Sequence, residues 1–458
     1  MVGIDLANLP QTIRDAIHVT HALGINFLWT DALCIIQDSP QDKHRELRYM
    51  RDVYRHTCFT IDAASAARAS EGFLQERQPW RPTLTLPFIC PAKSASQLSE
   101  IGSLHLEYHD PTADTTAREP APDYTATRAW CLQEALMSTR GLIFKDNTVQ
   151  LRCHTTTQNI GGAEHNASTD DLPRLPGFIL RPDLNVQRYS EEWKEVRRLW
   201  GDVVRHYSFR SLSDPADKLV ACAGLAEMFA RALGAEYRAG VWDDDYLLRD
   251  LLWRCPDYRA VRPQAYRAPS WSWASVDGEL QGPHAMPGCA QEYLAEVLRC
   301  TAAPLDDAIP FGPVIGGSLV LRAHLFHAFC EVDPGHDEPR VFIEGPSQAQ
   351  RPIQDFDMFD TKDDENAEDS DLWAVPILRE VWEGSGRPER CRGMLLRRAH
   401  LDVPRNSESL PADRGQCQRI VFRRVGMFMV EGDTKRDMQA LGWDGEWTLD
   451  AAAEFEIV

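Results

Sequence analysis

The sequence contains no run that approaches the roughly 18 consecutive apolar residues required by a membrane-spanning helix. The first residues, Met1 to Asp5, also lack the basic start and the apolar core of a secretion signal. These two absences predict a cytoplasmic protein that does not enter a membrane.

Cysteine patterns typical of disulfides, zinc sites or redox motifs are missing too. The twelve cysteines are scattered, none belongs to a CxxC pair, and their usual neighbours are apolar, as in Leu33-Cys34-Ile35. This usage is typical of buried, reduced thiols in the cytosol. His18 and His21 are three residues apart on a predicted helix, but no HExxH-like pattern supplies a third ligand. We therefore predict neither a metal site nor a bound cofactor.

Motifs for nucleotide binding and acyl transfer do not occur either, since there is no P-loop, no GxGxxG after a strand and no GxSxG. Acidic residues outnumber basic ones, 69 to 49, and the formal net charge is −20. Nucleic acids and anionic membrane surfaces both require clustered Lys and Arg. We therefore exclude both as partners and interpret the charge as favouring solubility.

Apolar residues are plentiful: the 458 residues are 43% hydrophobic, which is enough for more than one core. The first part predicts a helix at residues 12–24, a buried strand at 25–30, a helix at 42–56 and a short strand at 58–63. This alternation is typical of an α/β layer with a mostly parallel sheet and flanking helices. Ligands collect at the carboxyl ends of strands in such sheets, where Asp31 is expected.

The next part of the chain changes character. Residues 78–126 are rich in Pro, Ser, Thr and Asp and predict an irregular excursion with a hairpin at 104–108. After it, we expect regular secondary structure again, beginning with a helix at 128–136. A β-hairpin with strands at 143–144 and 149–153 follows.

Three domains are predicted: an α/β domain at residues 1–155, a helical continuation at 186–285 and a β-rich region at 310–458. The helical continuation contains the letters APSWSW at 268–273. In the β-rich region, the acid-dense residues 355–371 are expected to form a solvated loop.

Several ordered motifs occur in the first third of the chain. They read LPQTIRDAI at 9–17, LWTDALCIIQ at 28–37, ELRYMRDVY at 46–54, TIDAAS at 60–65 and RAWCLQE at 128–134. Their order resembles that of the heterokaryon-incompatibility (HET) domain family, and the last one matches the family's R-x-W-x-x-Q-E signature. Family members usually begin with a strand reading roughly A-L-S-Y-x-W-G, and this strand is missing ahead of Leu9.

The resemblance implies a fungal protein of non-self recognition and cell death, with a TIR-like domain that cleaves NAD when assembled into a homo-oligomer. In that interpretation NAD is a substrate and Glu46 is the catalytic carboxylate, which stabilises an oxocarbenium-like centre as nicotinamide leaves. Trp29, Asp31 and Gln37 would then line the pocket.

Each carboxylate also has a structural interpretation. Asp31 is either an acid or base, or the cap of the following turn. Glu46 is either catalytic or paired with Lys43, an interaction worth a few tenths of a kcal/mol. Glu134 either joins the site together with Gln133 or forms a salt bridge with Arg128.

Further residues are predicted to bind substrate. They are Trp29, Cys34, Gln37, Arg128, Trp130 and Gln133. A reactive Cys34 would need a neighbour such as His44 or His56 to lower its pKa, and a buried core thiol is the favoured alternative. Trp130 is alternatively a packing anchor.

Two other functions stay open. The first is a cofactor-independent enzyme of secondary metabolism, an isomerase, cyclase or dehydratase that uses Asp31, Glu46 or Glu134 as proton carriers on a small-molecule substrate. The second is a non-enzymatic interaction module whose β-rich region binds a protein partner and whose first domain signals by assembly. The enzymatic interpretations require the carboxylates of Asp31, Glu46 and Glu134 to lie in one partly desolvated pocket.

Overall fold

The structure is a computed structural model, and it describes residues 3–76, 83–90, 100–107, 123–146, 148–160, 172–181, 184–256, 260–282, 288–332, 339–344, 350–352, 359–366, 371–382, 389–399, 420–432, 449 and 452–458. The chain divides into two compact units. The N-terminal unit comprises Met1–Thr127 and Met137–Asp171, and the C-terminal unit comprises Arg128–Leu136 and Leu172–Val458.

Three helices open the N-terminal unit: α1 (Gln11–Ala22), α2 (Asp31–Cys34) and α3 (Pro40–His56). Helix α3 begins where Pro occupies a first-turn position and the Ser39 side chain accepts a hydrogen bond from the Asp42 N–H at 3.2 Å. Both long helices lie where the sequence predicts them.

The predicted buried strand at residues 25–30 is wrong. All six residues are irregular, and Phe27 is 88% exposed. A short apolar run satisfies the pattern of a buried strand, but burial requires paired neighbours that the pattern cannot supply. Asp31 therefore does not follow a strand and instead begins α2.

A four-stranded sheet lies in the N-terminal unit in the order β1 (Thr60–Asp62), β4 (Arg140–Phe144), β5 (Val149–Cys153) and β6 (Thr157–Ile160). Only the β1–β4 pair is parallel. The prediction of a mostly parallel sheet is therefore wrong for the described strands, because short connections such as that between β4 and β5 permit only antiparallel pairing. The predicted hairpin of β4 and β5 is confirmed.

Strands β2 (Thr83–Cys90) and β3 (Glu100–Glu107) form an antiparallel pair within the predicted irregular excursion. The pair is longer than the small hairpin predicted at residues 104–108. Residues 77–82, 91–99 and 108–122 of this region lie outside the described part of the chain.

The core of the N-terminal unit is aromatic. Phe73 and Phe144 are buried, with ring centroids 4.6 Å apart, and Leu142 packs with them. Half-buried side chains of α1 and β1, among them Ala16 and Ile61, cover this cluster. The core thus joins the first helix to the sheet.

The first four helices described in the C-terminal unit are α4 (Ala129–Met137, of which Met137 belongs to the other unit), α5 (Glu191–Ser208), α6 (Ala223–Leu233) and α7 (Leu247–Asp250). The predicted helical region is interrupted by a hairpin, β7 (Glu236–Arg238) with β8 (Val241–Asp243). Its turn residues Ala239 and Gly240 both have positive φ, 46° and 106°. The turn joins β7 to β8. The periodicity of apolar residues in this region did not predict this hairpin.

Ten further strands of the C-terminal unit form one sheet. Its strands are β9 (Ala290–Tyr293), β10 (Ala295–Pro304), β11 (Val314–Ala323), β12 (Phe326–Val332), β13 (Pro339–Glu344), β14 (Gln350–Pro352), β15 (Leu372–Val381), β16 (Glu389–Arg398), β17 (Ile420–Gly432) and β18 (Ala453–Ile457). The order is β10-β11-β18-β17-β16-β15-β12-β13-β14, with β9 beside β15. The predicted β-rich region is confirmed, and the chain as a whole is mixed α/β.

The predicted solvated acidic loop is wrong where it is described. Residues 359–366 include helix α8 (Lys362–Asn366), and the carboxylates of Asp360 and Asp364 are each only 1% exposed. Arg262 donates to both, at 3.0 and 2.9 Å, and Arg424 donates to Asp360 at 3.1 Å. Buried carboxylates need such partners, which here come from distant parts of the sequence. Residues 353–358 and 367–370 lie outside the described chain.

Candidate functional site

The predicted site residues between 29 and 46 occupy one loop-and-helix segment of the N-terminal unit. Asp31 is exposed, and its Oδ1 accepts a hydrogen bond from the Ala32 N–H at 2.7 Å. Gln37 Nε2 donates to the carbonyl oxygens of Asp31 and Ile35 at 3.1 and 3.0 Å. Asp31 thus makes a turn-capping contact, and Gln37 closes the far end of α2.

A second set of contacts joins this turn to α3. Asp42 Oδ2 accepts from the Ile36 N–H at 2.9 Å, while its Oδ1 accepts from Arg45 at 2.5 Å. Arg45 also donates to Glu46 Oε1 at 3.0 and 3.1 Å. Glu46 is therefore paired with Arg45, where the sequence suggested Lys43, and its side chain is 22% exposed. The roles predicted for Asp31, Gln37 and Glu46 stay predictions, but the three lie on one hydrogen-bonded stretch of chain.

Trp29 and Cys34 flank this stretch. Trp29 is half-buried and meets the ring of Tyr54, on α3, edge-on with centroids 5.8 Å apart. The favoured expectation of a buried Cys34 thiol is wrong, because Cys34 is exposed. Helix α2 is a single turn at the surface, and Ile35 is the residue that it directs into the interior, at 7% exposure.

Sequence reasoning missed the exposed apolar side chains of the same region. They are Leu23, Phe27, Leu33, Ile36 and Tyr49, between 42% and 88% exposed. One signal was available: Tyr49 lies outside the predicted apolar face of α3, formed by Leu47, Met50, Val53 and Tyr54. Residues 23–56, hereafter the surface segment, carry five acidic and five basic residues, so the segment is neutral within a strongly acidic chain.

The signature residues of α4 belong to the C-terminal unit. Gln133 is 3% exposed, and its Oε1 accepts from the Gly224 N–H in the first turn of α6 at 2.9 Å. Trp130 Nε1 donates to Asp217 at 3.3 Å, and the carbonyl of Arg128 accepts from Arg210 at 3.2 Å. These contacts fasten α4 within its unit. Glu134 is half-buried on the same helix, and a role for any of the four in substrate binding stays a prediction.

Two further observations concern the described residues alone. No group of three or more His, Cys, Asp and Glu side chains among them could hold a metal ion. None of the helices found in these ranges has the length and apolar character to cross a membrane.

Comparison with known proteins gives one match. Residues 2–134 match the model of the family described as Heterokaryon incompatibility protein (HET). No curated protein and no solved structure matches the chain. The resemblance inferred from the ordered motifs is confirmed, and the match indicates a heterokaryon-incompatibility-type function.

Proposed function

We propose that this chain, which carries a HET domain in residues 2–134, acts in fungal non-self recognition by self-association of that domain. The surface segment is the contact surface, and its occupant is the surface segment of a second copy. In this proposal the HET domain is an interaction module, and cell death follows from assembly.

The exposure of large apolar side chains on the surface segment carries the proposal. Phe27 is 88% exposed, Ile36 57% and Tyr49 56%. Apolar residues concentrated on one exposed stretch are typical of protein interaction sites. Burying such side chains against a partner stabilises the complex by about 25 cal/mol per Å² of apolar surface.

The charge of the surface segment selects a second copy as the partner. Two copies of a chain with net charge −20 repel each other, so association must occur where the local charge is balanced. The surface segment has equal numbers of acidic and basic residues. A twofold interface brings the same patch of both copies together, and a patch of mixed sign can be complementary to itself.

The polar residues of the segment act as positioning groups in this proposal. Asp42 and Gln37 hold the α2 turn against the start of α3 through hydrogen bonds to backbone groups. The turn then presents Leu33 and Ile36 to solvent. Losing one such bond costs about 1 kcal/mol.

The experiment compares three variants in fungal cells and as purified chains. Phe27→Ser with Ile36→Ser removes apolar surface from the segment. Ile160→Ser, also on an exposed side chain of the N-terminal unit (50%), is the matched control. The third variant changes Asp31, Glu46 and Glu134 together to Ala.

Self-association is measured by sedimentation velocity and cell death by colony viability. We expect the double variant to lose both, and the control and the triple variant to keep both. Loss of cell death in the triple variant with intact association would overturn the proposal and favour catalysis.

NAD hydrolysis by the HET domain is a second candidate. The observation in its favour is that Glu46 is held by Arg45 and yet 22% exposed, so its carboxylate is both positioned and accessible to a ligand. A carboxylate that stabilises an oxocarbenium-like centre needs both properties. The test is nicotinamide release from NAD by the assembled chain: release that is abolished in Glu46→Gln supports hydrolysis, and no release by the wild type rejects it.

A further inference from the structure

A cavity of about 470 Å³ lies in the C-terminal unit, between α5, the turn of the β7–β8 hairpin, α7 and residues 273–282. Cavities of about 300–1,000 Å³ are typical of small-molecule sites. The cavity takes no part in the proposed self-association, because the surface segment belongs to the N-terminal unit.

Aromatic side chains form its walls. They are Trp193, Trp200, Tyr246, Trp253 and Trp273. The indole N–H of each tryptophan donates to a backbone carbonyl, at distances of 2.7 to 3.2 Å. These bonds fix the rings, and each tryptophan is only 1–3% exposed, so a small part of each ring faces the cavity. Val204, Val241 and Leu280 also line it, and the walls therefore suit an apolar body.

One charged patch interrupts the apolar walls. The guanidinium groups of Arg197 and Arg249 both lie over the ring of Tyr246, 5.7 and 4.7 Å from its centroid. Arg197 is 5% exposed and is held by Asp244 at 2.9 Å and Asp250 at 2.7 Å. These two carboxylates balance much of its charge and fix its position.

Arg249 is balanced less well. Its ion pair with Asp250 is long, 3.9 Å between Nη2 and Oδ1. Its Nε is buried and makes no hydrogen bond to any residue that the structure describes. A buried donor without a partner costs free energy, which an acceptor on a ligand would recover.

The charges around the cavity leave one cation for an anionic ligand. Five basic side chains line it, and four are paired with carboxylates: Lys194 with Glu191, Arg197 with Asp244 and Asp250, and Arg198 and Arg205 with Asp202. Among the described residues, the fifth, Arg249, has only the long ion pair with Asp250. Its guanidinium is therefore the group that can take up an anion.

We propose that the cavity binds a carboxylate with an apolar ring body, with the rings against the apolar walls and the carboxylate on Arg249. The guanidinium plane offers two parallel donors to a carboxylate, which favours this group over a neutral polar one. This binding site is separate from the self-association proposed above, and either can fail without the other.

The test uses 2-naphthoate and its neutral analogue 2-naphthamide, with the full chain in titration calorimetry and tryptophan fluorescence. We expect the wild type to bind naphthoate more tightly than naphthamide. Arg249→Met should weaken naphthoate binding roughly ten- to a hundredfold, the effect of one charge-assisted hydrogen bond, and leave naphthamide binding unchanged. Arg249→Lys keeps the charge and should recover part of the affinity.

The second part of the test blocks the cavity with a larger side chain. Gly201 lines it from α5, and a Cβ there meets no atom within 4 Å, so Gly201→Phe can fill the space without a clash at its root. We expect Gly201→Phe to abolish binding of both probes and Gly201→Ala to preserve it. The proposal is overturned if the wild type binds no naphthoate, if it binds both probes equally, or if Arg249→Met binds naphthoate as the wild type does.

Discussion

Asp15 on α1 accepts a hydrogen bond from the backbone N–H of Phe73 at 2.8 Å, across 58 residues of sequence. The same carboxylate accepts from the Leu74 N–H at 3.2 Å and from Gln11 at 2.6 Å. Gly72 precedes this pair with φ of 76°, and a Cβ on it would lie 2.5 Å from the Asp15 carboxylate. The first helix of the N-terminal unit is thus fastened to a turn that only glycine fits closely.

Asp15→Ala is therefore expected to destabilise the N-terminal unit. The change leaves the buried N–H of Phe73 without its acceptor, which costs about 1–3 kcal/mol in the free energy of unfolding. Urea unfolding followed by circular dichroism measures the difference. Arg14→Ala, at an exposed neighbouring position on the same helix, should change the unfolding free energy by less than about 0.5 kcal/mol. Equal effects of the two changes would contradict the assigned contact.

Gly240→Ala is expected to destabilise the C-terminal unit. Gly240 has φ of 106°, and a Cβ there would lie 2.5 Å from Trp273 Nε1. The backbone strain alone costs about 1–3 kcal/mol. The melting temperature should fall, whereas Gly201→Ala, inside α5 with open space around it, should raise it slightly. A Gly240→Ala variant that melts with the wild type would show that the turn does not require glycine.

The ion pairs of Asp277 predict how stability depends on pH. Burial raises the pKa of this carboxyl, but the hydrogen bond from Arg267 and the charge of Lys218 outweigh burial, and the net shift is downward from 3.8. Both Asp277 oxygens lie 2.9 Å from Arg267 nitrogens. The unfolded chain binds this proton more tightly than the folded chain, so the pair stabilises the fold above pH 3.8 and the contribution is lost as pH falls through the lower folded pKa.

Asp277→Asn should remove that part of the pH dependence. We expect the unfolding free energy of the wild type to fall more steeply between pH 5 and pH 3, a window of about one unit on either side of the ordinary pKa, than that of the variant. Urea unfolding at a series of pH values measures both slopes. Asp307→Asn, at an exposed carboxylate, is the control and should keep the wild-type slope. Parallel curves for wild type and Asp277→Asn would contradict the assignment.

Local signals account for what the sequence predicted correctly. The start of α3 follows from Ser39 and Pro40, the hairpin of β4 and β5 from the short turn between apolar runs, and the β-rich region from its strand-like runs. The capping contact of Asp31 was one of the two interpretations that its position allowed, because it depends only on the next residue.

Contacts between distant residues account for what the sequence did not predict. Arg262 reaches Asp360 across 98 residues, and this partner turns a supposed solvated loop into a buried one. Phe27 is apolar in a run that resembles a buried strand, but none of the strands that the structure describes pairs with it. The cavity combines Arg197 and Arg249 from two helices, α5 and α7, that no periodicity relates.

Maleimide labelling of Cys34 tests self-association through the surface segment most directly. Cys34 is exposed on α2 within the segment, and Cys58 is exposed just outside it. Peptide mass spectrometry gives both labelling rates in one sample as the chain is concentrated. We expect Cys34 labelling to slow with concentration while Cys58 labelling does not, and we expect Phe27→Ser with Ile36→Ser to remove the protection. A Cys34 rate that stays constant across concentrations at which the chain associates would contradict self-association through the surface segment.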